Sequence, residues 1–62
     1  MSMHRFIKLT LIKGDGDILL NIYHITAILP NNLTGGSNIV SDGNTWSVEE
    51  SLKKIEKLMG EV

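Results

Sequence analysis

The chain has 62 residues, no cysteine, and a formal net charge of −1 from six Lys and Arg against seven Asp and Glu. That length allows one small domain, which buries only about 60% of the surface its unfolded chain exposes and so has a marginal core by itself. Disulfide staples and thiolate metal sites are excluded, the missing basic excess argues against a nucleic-acid binder, and no apolar run reaches the roughly 20 residues that cross a bilayer.

Hydrophobic residues make up 42% of the chain, enough for a packed core and not the composition of a disordered segment. A small domain without staples gains stability by self-association, so a homo-oligomer is the expected state. The N-terminus lacks the continuous apolar stretch of a signal peptide, which points to a cytoplasmic protein. Residues 1–4 are expected to fray or to carry a cloning remnant ahead of a natural start at Met3.

In chain order, Arg5 to Lys13 alternates, with Ile7, Leu9 and Leu11 on one face and Phe6, Lys8, Thr10 and Ile12 on the other. Period-two patterning predicts a strand. Gly14-Asp15-Gly16 supplies a turn; it lacks the further oxygen ligands of a calcium loop. Ile18-Leu19-Leu20 predicts strand two, and Asn21 to His24 interrupts it with turn-compatible residues. Ile25 to Leu29 predicts strand three, stopped by Pro30. Asn31 to Ser37 is a loop containing the Gly35-Gly36 pair.

Ser37 to Ser41 and Asn44 to Trp46 predict strands four and five around Asp42-Gly43, a strong hairpin signal. A two-residue turn sets Ser41 opposite Asn44, Val40 opposite Thr45 and Ile39 opposite Trp46. Ser47 stands three residues before Glu50, the spacing of a capping box, so the helix is expected to start after Ser47. Its apolar positions are Val48, Leu52, Ile55, Leu58, Met59 and Val62. Glu49 with Lys53 and Glu50 with Lys54 are expected i,i+4 pairs, and Gly60 marks the end. The fold class is α+β: a small twisted antiparallel sheet of four to five strands with one C-terminal amphipathic helix packed on it.

Ile7-Lys8-Leu9-Thr10, a glycine-containing turn, Leu20-Asn21, Ile25 with Ile28, and a glycine hairpin leading into Val48-Glu49-Glu50-Ser51 together resemble the small FlbD-like family of flagellar-operon proteins. The likeness runs over roughly residues 6 to 58. Two departures stand out: Ile22-Tyr23 replaces a proline-acidic pair that usually follows Asn, and the Asn31-to-Ser37 loop is longer than the family's third connection. Related small proteins are expected in phages and gut bacteria, so the resemblance implies a non-enzymatic β+α protein and does not imply flagella.

Catalysis needs a nucleophile or an acid–base pair held in a pocket. The candidates are His4, His24, Tyr23 and scattered carboxylates, with no nucleophile elbow, Walker loop or zinc spacing. No enzyme activity, metal or cofactor is expected. Asn32-Leu33-Thr34 matches a glycosylation acceptor, which is read as chance.

Two sets of surface residues are candidates for binding. Gly35, Gly36, Ser37 and Asn38 form a segment whose amides could make an anion-binding nest. With Arg5 or Trp46 from an assembled ring or dimer, it would frame a pocket for a phosphate-bearing ligand; the plain reading is a connecting loop. Trp46 is more simply a core anchor. Phe6, Tyr23, His24, Met59 and Val62 are candidates for an oligomer interface. The functional expectation is a homo-oligomeric binding or adaptor module acting through protein contacts. The alternative is a phage-encoded protein that sequesters a small anionic molecule, such as a signalling nucleotide, between subunits.

Overall fold

A computed structural model describes residues 5–61. The expectations for residues 1–4, His4 among them, and for Val62 lie outside the described residues. Five strands and one helix make an α+β fold: β1 (Phe6–Thr10), β2 (Asp17–Asn21), β3 (Ile25–Pro30), β4 (Ser37–Ser41), β5 (Asn44–Val48) and α1 (Leu52–Gly60). The strands form two antiparallel sheets, β1-β2 and β3-β4-β5, in place of one continuous sheet.

The first hairpin follows the alternation of its sequence. Ile7 and Leu9 are buried on one face, while Lys8 is exposed on the other. β1 stops at Thr10, short of Lys13, because Lys13 takes a left-handed φ of 64° and turns the chain. Leu11 N–H donates to the Gly16 carbonyl at 2.8 Å, and Ile22 N–H to the Arg5 carbonyl at 2.8 Å. Hydrogen-bonded pairs alternate along an antiparallel ladder, so Ile18 and Leu20 also turn their main-chain groups toward β1. Asp17, Leu19 and Asn21 turn theirs away from it.

At Asn21 the strand breaks into a 3-10 turn, Ile22–His24, started by Tyr23 N–H donating to Asn21 Oδ1 at 2.9 Å. β3 then runs with a register shift between Ile25 and Ala27 and pairs with β4 as far as Pro30 opposite Ser37. The Asp42-Gly43 hairpin has the expected register, Ser41–Asn44, Val40–Thr45 and Ile39–Trp46. Asp42 and Gly43 adopt φ of 51° and 82°. A type I′ turn requires positive φ at both positions, which explains why Asp-Gly stands there.

The end of β5 corrects the expected helix start. Ser47 and Val48 continue the strand, opposite Asn38 and Ser37, and Ser47 Oγ donates to Asn38 Oδ1 at 2.9 Å instead of capping a helix. The cap is Ser51, whose Oγ accepts from Lys54 N–H at 3.2 Å. Glu49 and Glu50 therefore precede α1 and form no i,i+4 pairs on it. Val48 is fully buried in the sheet, where its β-branched side chain suits the pleated surface.

The two sheets meet where β5 crosses β1. Leu11 bridges to Val48, Glu49 N–H donates to the Thr10 carbonyl at 2.8 Å, and Thr10 N–H donates to both Glu50 carboxylate oxygens, at 2.9 and 3.1 Å. The chain thus bends from β2 into β3, returns through β4 and β5, and closes on β1 as a partial roll. Ile7, Leu9, Leu20, Ile39, Val48 and Ile55 form the buried core, with Trp46, Leu58 and Met59 packed against it. Burying one such aliphatic side chain contributes about 1.5–3 kcal/mol. Ile55 is the part of α1 that closes the core.

Candidate functional site

The most exposed chemistry gathers around the 3-10 turn. Ile22 and Ile25 anchor the turn by packing against the core, which directs Tyr23 and His24 to the surface. Tyr23 is 73% exposed, and the Arg5 guanidinium lies over its ring at 5.4 Å from the centroid. His24 Nδ1 is 3.2 Å from Asp42 Oδ2, at the tip of the β4-β5 hairpin. One surface therefore joins Arg5 and Tyr23 to His24 and Asp42. An arginine stacked on a tyrosine supplies a cation–π contact, and these two residue types are the ones enriched at energetic centres of protein interfaces.

The glycine loop is organised differently. Asn31 N–H donates to the Gly36 carbonyl and Gly35 N–H to the Asn31 carbonyl, each at 2.9 Å. Leu33 N–H donates to Asn31 Oδ1 at 3.1 Å, and Gly36 N–H to Thr34 Oγ1 at 3.1 Å. Ser37 is fully buried and its Oγ donates to the Glu50 carbonyl at 2.9 Å. Asn38 Oδ1 accepts from Ser47 Oγ and, at 3.4 Å, from Asn31 Nδ2. The amides that would line a nest at Gly35 and Gly36 are spent inside the loop.

The open surface beside this loop is a shallow cleft of about 420 Å³ between Thr10, Gly35, Glu49, Glu50, Ser51 and Lys54. Two carboxylates against one lysine make it a poor place for an anion. A second cleft, of about 440 Å³, runs along α1 beside Lys53, Lys54, Lys57 and Leu58.

The remaining candidates are each half-buried. Trp46 pairs with Ile39 and packs on the core, next to Ser47, whose hydroxyl reaches Asn38 at the end of the Gly35-to-Asn38 segment. Phe6 is half-buried opposite Asn21 on β1. Met59 packs against the core, where α1 needs it. Among the described residues, no group of three or more His, Asp or Glu side chains could hold a metal ion, and no helix is long and apolar enough to cross a membrane.

Two residues acquire roles that the sequence does not announce. Asp42 reads as a turn residue, and its partner His24 is 18 positions earlier. Glu50 reads as a capping acid, yet its carboxylate holds an amide 40 positions away. Neither contact has a local signature. No family model matches the chain, no curated protein matches its sequence, and no solved structure matches its fold.

Proposed function

We propose that this protein is a small non-enzymatic, homo-oligomeric binding or adaptor module that works through protein contacts in the cytoplasm. The observation that carries the reading is the exposed Arg5–Tyr23 stack joined to the His24–Asp42 pair on one surface. A tyrosine held out from the fold on a turn pinned by Ile22 and Asn21 loses little conformational entropy when a partner covers it. The FlbD-like pattern of short motifs points the same way, toward a β+α protein without catalysis.

Sequestration of a small anionic ligand between subunits is the alternative reading, and it draws on the Gly35-to-Asn38 segment. That segment spends its Gly35 and Gly36 amides internally, which leaves side-chain cations, Arg5, Lys13 and the α1 lysines, to meet an anion.

Sedimentation equilibrium of the wild type and of Tyr23→Ala tests the leading reading, because both variants share an unchanged core. Self-association at micromolar concentration that weakens in Tyr23→Ala, or capture of a specific protein partner that depends on Tyr23, supports it. A strict monomer whose interactions ignore Tyr23 refutes it. Thermal shifts with cyclic and linear nucleotides at millimolar concentration test the alternative, and no stabilisation would remove it.

A further inference from the structure

We infer that the free edge of β2 is a self-pairing surface, on which a second copy of this chain adds its own β2 antiparallel about a two-fold axis at Leu19. The inference rests on the homo-oligomeric part of the reading above and places the contact between copies on β2, beside the Tyr23 turn and not on it.

Among the described residues, β2 offers the longest outward-facing row of main-chain groups that no proline, bulge or covering segment interrupts. An unpaired edge offers a row of main-chain donors and acceptors, and natural proteins guard such rows with proline, bulges, charges or a covering segment. On β3, Asn31 N–H bonding to the Gly36 carbonyl fixes the alternation, so Thr26, Ile28 and Pro30 face outward. Pro30 has no N–H, and Thr26 lies in the register shift. On β1, Thr10 is taken at both its N–H and its carbonyl by Glu50 and Glu49, and Lys8 charges the next outward position. On β5, Thr45 and Ser47 are followed at once by the Glu49–Thr10 closure.

β2 carries one charge, Asp17 at its first position, where Lys8 pairs with it, and no other of these devices. Asp17, Leu19 and Asn21 turn their main-chain groups outward in succession, with no proline and no bulge between them. The edge is also self-complementary. Only a register centred on Leu19 pairs all three outward residues with those of a second copy. It sets Leu19 against the partner subunit's Leu19 and Asp17 against the partner subunit's Asn21.

No like charges meet in that register. The free Asn21 amide group can donate to the opposing Asp17 carboxylate, because Asn21 Oδ1 is already used by Tyr23 N–H and Asp17 Oδ2 faces Lys8 Nζ at 3.4 Å. Leu19, 50% exposed, is covered by its own copy. The Asp17–Asn21 contact occurs twice and the Leu19 contact once, on the axis, as an isologous interface requires. Strand addition of this kind takes affinity from main-chain hydrogen bonds and selectivity from alternate side chains. The result is a continuous four-stranded sheet through the dimer.

Residue-resolved amide exchange on the wild type, at rising protein concentration, reads the surface without any substitution. The amides of Asp17, Leu19 and Asn21 are expected to slow as the dimer forms, while those of Thr45 and Ser47 stay unchanged. Leu19→Lys places like charges opposite each other and should weaken dimerisation about tenfold or more; Leu29→Lys, on an equally exposed leucine of β3, should leave it intact. Because the chain has no cysteine, Leu19→Cys should form an oxidised dimer that Leu29→Cys does not. A wild type that self-associates without slowing these three amides, and a Leu19→Lys variant that dimerises normally, would overturn the β2 surface and leave the homo-oligomeric reading standing. A strict monomer at millimolar concentration would overturn both.

Discussion

Glu50 ties two distant segments of the fold together. Its carboxylate accepts the Thr10 amide with both oxygens, and its carbonyl accepts the buried Ser37 hydroxyl. Hydrogen bonds to a charged group contribute more than neutral ones, and a half-buried amide left alone carries its own desolvation cost. Glu50→Ala should therefore cost about 1–3 kcal/mol in urea unfolding, and Glu50→Gln less, because one acceptor oxygen remains. Equal stability of both variants with the wild type would show that the contact contributes nothing. Gly36 is constrained by space instead. A Cβ there would run into the Val48 carbonyl, whereas at Gly35 it would meet open space but a φ of +78°. Gly36→Ala should cost about 3 kcal/mol by overpacking against backbone, and Gly35→Ala about 1 kcal/mol from its left-handed backbone. Chemical denaturation of the two variants side by side distinguishes a steric glycine from a conformational one.

Among the elements, the helix cap decides how the C-terminal third is arranged. Ser51→Ala removes the acceptor for Lys54 N–H and should cost about 1 kcal/mol, measurable as a lower urea midpoint with reduced helical circular dichroism. Ser47→Ala should instead loosen the link between β4 and β5 through Asn38 and leave helix content alone. These two serines also illustrate what the sequence makes legible. The Asp42-Gly43 hairpin and its Ile39–Trp46 register follow from local turn chemistry, and the alternation of Ile7 and Leu9 follows from a period of two. The capping box at Ser47 was equally well formed as a pattern, but Val48 had a buried place opposite Ser37 in the sheet, and tertiary burial outweighed the local cap. The same logic covers the surface. Tyr23 and His24 were recognisable as turn residues, while their pairing with Arg5 and Asp42 depends on how distant segments are brought together. The glycine loop shows the reverse case, since its composition suggested an anion nest and its side chains and carbonyls occupy the amides first.

At the scale of the whole molecule, six buried aliphatic residues hold together two sheets and a helix. That core is small for a free-standing domain, which is why a second copy along β2 would matter to stability as well as to function. If β2 pairs with itself, the thermal midpoint should rise with protein concentration, and Leu19→Lys should need at least about tenfold more protein for the same rise while keeping the monomer's circular dichroism. A midpoint independent of concentration in the wild type would rule out stabilisation by association.

The closure of β5 onto β1 also has a consequence in time. The three strand pairings each join neighbouring segments and can form early, whereas the Thr10–Glu50 contact spans 40 positions and bears the loop-closure entropy of nearly the whole domain. An interaction completed after the folding barrier is lost on the way out, so weakening it accelerates opening more than it slows assembly. Stopped-flow measurements on Glu50→Ala should accordingly show an unfolding limb faster by about tenfold for each 1.4 kcal/mol lost, beside a nearly unchanged refolding limb. The residue that joins the two sheets is then the clasp that sets the lifetime of the folded state.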